Sequence, residues 1–306
     1  MTGRTCLGVM AGLLLLAGAG ARVGVAAGPV PERIASGLQF PEGVVAVGDA
    51  LYFVDFGTSA VLRLAGDAVS TVWHEKGCGA NGLLAVPEGL WVACYAGASF
   101  ELISFDGRTL RTIVRDQAGH GFESPNDFAA DGQGGAWLTA SGAGAATGKV
   151  YHMASSFEVK PVADGLAYAN GLALSPDRKL LYVSESKAHR ISVFATTAEH
   201  GLGPRRTFVD LDAVLPHDKR RRIVPDSMRV DGAGNIYVAL YEGGGIAVFR
   251  PDGTLMARVE LPLAHHTSLA ISADGRWIVA TALDDVPGGG YRGELYRVPN
   301  PAHAGP

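Results

Sequence analysis

Six short segments of the chain repeat one pattern of polar and apolar positions: EGVVAV from Glu42, NGLLAV from Asn81, NDFAAD from Asn126, NGLALS from Asn170, DSMRVD from Asp226 and TSLAIS from Thr267. Each opens on a polar residue, continues with a small or acidic one, and places apolar side chains at its third and fifth positions. The third positions are Val44, Leu83, Phe128, Leu172, Met228 and Leu269. Alternation with period two predicts β-strands with one face buried. A turn follows every segment, for example Gly48-Asp49, Gly134-Gly135 or Pro176-Asp177, and then a second apolar run: ALYFVD, GLWVAC, GAWLTA, LLYVSE, NIYVAL and RWIVAT. Each unit therefore begins with a β-hairpin.

Third and fourth strands are readable behind most hairpins, as in RISVFAT after Ser186 and GIAVFRP after Glu242. The opening residues recur roughly every 40 to 45 positions, the span of a four-stranded propeller blade. One longer interval, between Asn170 and Asp226, holds a polar loop around His217. The expected architecture is all-β: a six-bladed β-propeller of four-stranded antiparallel blades around a central, metal-containing channel, spanning residues 32–302. The segment ERIASGLQ, Glu32 to Gln39, has no unit of its own and is expected to supply the outer strand of the last blade. A β-sandwich is the runner-up, but nothing in a sandwich requires six copies of one opening pattern.

Composition agrees with this picture: 42 glycines and 16 prolines in 306 residues supply many turns and few long helical patterns. A formal net charge of -4 and a pI near 6.1 give no global basic field for nucleic acid or an anionic membrane. The basic run Lys219 to Arg222 reads as a solvated loop. Ahead of the repeats, Arg4, an apolar run from Cys6 to about Ala17 and small residues thereafter form a signal-peptide pattern within residues 1–27, with cleavage expected after Ala21 or Ala27. The apolar run is shorter than the ~18 to 20 residues needed to span a bilayer, so a periplasmic or extracellular location is expected, with no membrane attachment after cleavage. Cleavage also leaves Cys78 and Cys94 as an even pair, either a disulfide or two partly buried thiols.

If the six units are equivalent, Glu42, Asn81, Asn126, Asn170, Asp226 and Thr267 form a ring at one mouth of the channel. Two carboxylates about 6 Å apart would repel by ~3 kcal/mol at an effective dielectric near 20. A divalent cation removes that penalty and can use the Asn carbonyl oxygens as well. An all-oxygen set favours calcium, with magnesium, manganese or zinc as alternatives. A single Asn-Gly would read as a turn former; repetition at one place in the blade makes it a site.

At these residues the chain resembles the gluconolactonase, regucalcin and senescence-marker-protein family of six-bladed propellers. The resemblance covers nearly all of the chain after the signal segment. PEGVV from Pro41 resembles the family's first-blade glutamate motif, SPNDFAADGQGGAWLTAS from Ser124 its third-blade motif, ANGLALSPDRKLLYVSES its fourth and VPDSMRVDGAGNIYVA its fifth. It implies Glu42, Asn126, Asn170 and Asp226 as metal ligands, Asn126 as a ligand or substrate contact, and Asp226 also as general base. Ser227 stands where the family's fifth-blade motif usually has glycine.

Together these point to a metal-dependent hydrolase that opens a lactone or related ester, with a small-molecule substrate, no nucleic-acid partner and a monomeric state. Asp127 either orients Asn126 or faces the substrate. His266, next to the ring at Thr267, is either structural or a substrate contact. Two rival functions are a phosphotriester hydrolase of the same fold and a non-enzymatic binding or scaffold propeller with a structural calcium. No Gly-x-Ser-x-Gly elbow, His-Glu-x-x-His motif or intact phosphate-binding loop is present.

Overall fold

In the computed structural model, which describes residues 30–215 and 222–303, 24 strands form six four-stranded sheets. The signal-peptide reading, and with it Cys6, lies outside the described residues, as does the basic run apart from Arg222. The six innermost strands are Pro41–Val47, Ala80–Val86, Pro125–Ala130, Ala169–Leu174, Val224–Val230 and His265–Ile271. Each hydrogen-bonds antiparallel to the next strand of its own blade. The repeated segments are thus the inner strands of a six-bladed propeller. A sandwich has no such arrangement of six separate four-stranded sheets.

The ring closes where the sequence pattern expects it. Glu32–Leu38 pairs antiparallel with Tyr291–Pro299, so the outermost strand of the sixth blade comes from the start of the described chain. This joins the two ends of the described propeller through the backbone hydrogen bonds of one shared sheet.

The period-two pattern works by packing sheet against sheet. Val44, Leu83, Phe128, Leu172, Met228 and Leu269 are all buried. Six apolar clusters occur, each shared by two neighbouring blades. One joins Val54 and Val61 of the first blade to Leu83, Leu90 and Val92 of the second. Another joins Leu62 and Phe53 of the first to Leu295 and Val279 of the sixth, closing the circle. The hydrophobic core lies between blades, and the axis is left to other side chains.

Around the axis the inner strands approach very closely. A Cβ on Gly43 would sit 2.3 Å from the Asn81 carbonyl oxygen, and one on Gly171 would sit 2.4 Å from the Cα of Ser227. Gly43 also has a φ of +49°, which glycine adopts at little cost. The glycine after the polar residue is therefore required by the backbone of the neighbouring blade.

Cys78 and Cys94 are joined by a disulfide. It clamps the chain before the second blade's inner strand to the end of that blade's second strand, where the amides of Ala96 and Gly97 also donate to the Cys78 carbonyl. Closing a loop of this size restricts the unfolded chain by roughly 3 kcal/mol. The Cys78→Ser/Cys94→Ser protein should be less stable by about 2–4 kcal/mol in urea unfolding, with no further loss on adding reductant.

Candidate functional site

All six inner strands break their ladder register at the opening residues: between Glu42 and Val45, Ala80 and Leu83, Pro125 and Phe128, Ala169 and Leu172, Pro225 and Met228, and His266 and Leu269. A bulge re-aims side chains that a regular strand would send alternately to its two faces. Here it turns polar residues toward the axis while the third position keeps its place in the core. The result is a cavity of about 500 Å³, into which Glu42, Asn81, Asn126, Asn170 and Asp226 all project.

Thr267 does not join them. Its hydroxyl donates to the Pro41 carbonyl, 2.7 Å away, and pairs with Thr281, so the sixth blade spends its opening residue on tying itself to the first. His266 is fully buried away from the cavity. Its Nδ1 accepts from the Gly245 amide and its Nε2 donates to the Pro262 carbonyl, which uses both ring nitrogens structurally and leaves none for a substrate. Asp127 also lies outside the cavity, deeper in the channel. Its carboxylate accepts from Ser227 Oγ at 2.6 Å, from Arg229 and from the amide of Phe128. Ser227 thus has a definite partner across the axis.

The amide groups are oriented by serines at the ends of the second strands. Ser141 gives its only hydroxyl proton to the Ala169 carbonyl and Ser186 gives its own to the Pro225 carbonyl. Each serine oxygen can then only accept, from Asn126 Nδ2 and Asn170 Nδ2 respectively, both at 3.1 Å. That fixes which way each amide faces. Asn126 Oδ1 and Asn170 Oδ1 are left buried and without a hydrogen-bond partner, in a cavity wall that also holds two carboxylates. Orphaned acceptors of this kind are costly unless something electropositive meets them.

The carboxylates are held in an environment that disfavours their charge. Burial first, then the neighbouring Asp226 and Asp127 charges, push the Glu42 carboxyl well above its ordinary range. Asp226 is raised as well, by burial and by Asp127, against an opposing hydrogen bond from Asn170. Two buried acids and two unpartnered carbonyl oxygens form an all-oxygen set suited to a hard divalent cation such as calcium or magnesium.

Sequence reasoning overlooked three features. One is the pair of orienting serines, detectable as Ser at the end of TAS and SES. Another is a set of aromatic rings around the cavity mouth, all but Tyr291 just before or after the repeated segments. The third is Asp131, His152 and His200, whose ligand atoms come within 4.8 Å of one another at the opposite ends of the strands. Asp131 there accepts from the amides of Gln133 and Gly135, the same turn that Asp231 makes with Ala233 and Asn235, and it also holds His152.

A family profile described as SMP-30/Gluconolactonase/LRE-like region matches residues 40–283. A gluconolactonase of Zymomonas mobilis is 28% identical over 256 residues, covering 74% of this chain and 71% of that protein. Lactonase drp35 of Staphylococcus saprophyticus is 33% identical, over 57% of this chain and 54% of its own length. A pentonolactonase of Haloferax volcanii is 30% identical, over 47% and 48%. The matches thus span about half the length of the latter two relatives. Among solved structures, a gluconolactonase of Xanthomonas campestris superposes with a TM-score of 0.71 at 22% identity, covering 87% of this chain and 88% of that one. A calcium-binding regucalcin of Agrobacterium tumefaciens superposes with a TM-score of 0.70 at 19% identity, covering 87% and 93%, a likeness of fold.

Burial depresses the His266 pKa to about 4, from an ordinary value of 6.5. The folded state then binds fewer protons than the unfolded state between these values, so its contribution to stability is complete above about pH 6.5 and is lost as pH falls toward about 4. His266→Leu should remove that part of the acid slope in unfolding measurements, while costing about 1–3 kcal/mol at neutral pH through the two backbone groups it strands.

Proposed function

The chain belongs to the SMP-30/gluconolactonase/LRE-like family, and from that premise we propose that it is a divalent-metal-dependent hydrolase that opens a lactone. One observation carries the reading: Asn126 Oδ1 and Asn170 Oδ1 have no partner in a cavity wall they share with the buried carboxylates of Glu42 and Asp226. Glu42, Asn126, Asn170 and Asp226 would hold the cation, and calcium is the ion their oxygens suit first. When bound, the ion supplies positive charge that offsets both carboxylates and polarises an ester carbonyl.

The chain's own groups account for the remaining requirements. Asp226, as carboxylate, takes a proton from the water that attacks the lactone carbonyl. The ring C–O bond breaks, the leaving alkoxide takes up a proton, and the product is a hydroxy acid. Ser141 and Ser186 keep the two amides from rotating, so the carbonyl oxygens are already aimed before substrate arrives. Asp127, held by Ser227 and Arg229, adds negative charge below the ring without facing the substrate. The lactonase names of the relatives favour a lactone over a phosphotriester and over a scaffold role.

The disulfide and the signal-peptide pattern support our placing the protein in the periplasm or outside the cell. We also propose that it works as a monomer on a small molecule.

Asp226→Ala should reduce kcat on a lactone by at least about 10²-fold, and full activity in that variant would sink the assignment. Chelation has a separate signature. Glu42 and Asp226 are raised in the folded state, so the metal-free fold binds more protons than the unfolded chain and loses stability as pH rises above the ordinary carboxylate range. The Tm gained on adding calcium to the chelated protein should be larger at about pH 8 than at about pH 5, a difference in which the opposite slope from His266 cancels. A calcium-induced gain that does not grow with pH contradicts the site.

A further inference from the structure

Six aromatic rings line the cavity above the polar floor: Phe40, Phe56, Tyr95, Tyr168, Tyr241 and Tyr291. They are in contact one after another. Tyr168 and Tyr95, 73 residues apart, meet hydroxyl to hydroxyl at 3.0 Å. Tyr95 packs edge-on against Phe56 at 5.9 Å, and Phe56 against Phe40 at 5.7 Å. Phe40 in turn touches Tyr291 edge-on at 4.7 Å and stacks with Tyr241 at 6.3 Å. Tyr241 is backed by the His265 ring at 4.5 Å. These rings come from the fourth, second, first, sixth and fifth blades, so the arc is a product of the closed ring and of no single hairpin.

The charged side chains of the mouth, Lys187, His189, Arg222 and Glu242, come from the fourth and fifth blades, with the Lys187 ammonium 5.1 Å over the Tyr168 ring at that end of the arc. Hydrogen-bonding capacity is absent from the middle of the arc, where Phe40 and Phe56 meet, and the tyrosine hydroxyls lie on its flanks, those of Tyr95 and Tyr168 bonded to each other. A polyhydroxylated ring pressed against this wall would give up hydrogen bonds to water and find few replacements. An aryl or alkyl group would be buried there with nothing lost, in a cavity whose volume suits a small molecule.

Resting on the lactone-hydrolase reading, we propose that this site selects lactones that carry an apolar, preferably aromatic, substituent or fused ring over polyhydroxylated sugar lactones. The ester end lies over Glu42, Asn126, Asn170 and Asp226, and the hydrocarbon lies against the arc. Phe56 is the natural probe, since it sits mid-arc on a short 3-10 turn and is absent from the six blade-to-blade clusters.

The test pairs binding with turnover on six-membered rings. Hydrocarbostyril and gluconolactam, lactams that resist hydrolysis, are titrated calorimetrically into the calcium-loaded protein, and dihydrocoumarin and gluconolactone are compared as substrates. Hydrocarbostyril should bind at least about tenfold tighter than gluconolactam, and dihydrocoumarin should have the higher kcat/KM. Phe56→Ala should weaken hydrocarbostyril roughly tenfold and leave gluconolactam unchanged. If that variant fails to fold, Phe56→Gln, which keeps bulk but replaces the ring, is read the same way. Equal or tighter binding of gluconolactam, faster turnover of gluconolactone, or a Phe56 variant that affects both lactams alike overturns the proposal. Tight hydrocarbostyril binding with no turnover of either lactone overturns the hydrolase reading and leaves the aryl preference standing.

Discussion

Six inner strands must converge on one axis, and the rest of the molecule is arranged around the closeness of that approach. Where Gly43 meets the backbone of Asn81, and Gly171 that of Asp226 and Ser227, there is no room for a methyl group. Strands held so near one another cannot point large apolar side chains inward. The hydrophobic core is displaced into the six gaps between blades, and the axis goes to short polar groups. The same crowding puts the acids near enough that the charges of Asp226 and Asp127 raise the Glu42 carboxyl and that of Asp127 raises Asp226.

That arrangement is tense by construction. Each blade could relieve it by hydrogen-bonding its opening residue to a neighbour, and the sixth blade does so, with Thr267 donating to Pro41. At Asn126 and Asn170 the serines take the amide nitrogens and leave the oxygens bare. Leaving buried acceptors unmet costs stability, and Asn126 and Asn170 are where this fold carries that cost. The disulfide at Cys78 and Cys94 acts on the same mouth, because it anchors the turn that carries Tyr95 beside Phe56 and Tyr168.

Much of the site was legible because it repeats. Glu42, Asn126, Asn170 and Asp226 stand at one position of a recurring hairpin, and equivalent positions in equivalent units must meet when the units close on themselves. Residues without that repetition were harder to read. His266 is adjacent to the ring in sequence, yet the bulge between His266 and Leu269 leaves it facing Gly245 and Pro262. Asp127 is adjacent to Asn126, yet it turns down the channel toward Ser227. A step of one residue across a bulge decides whether a side chain sees solvent or core, and spacing carries no record of that turn.

The chain by itself determined the all-β class, the number of blades, the strand that closes the sixth and the oxygen-bearing side chains that converge, because alternation and repetition are local properties that every copy restates. The folded chain alone decided which of the six opening residues face the cavity, which way the amides of Asn126 and Asn170 are turned, and that six aromatic rings from five blades join into one wall. Those outcomes depend on contacts between residues as far apart as Tyr95 and Tyr168, or Thr267 and Pro41, and such distances close only when the ring does.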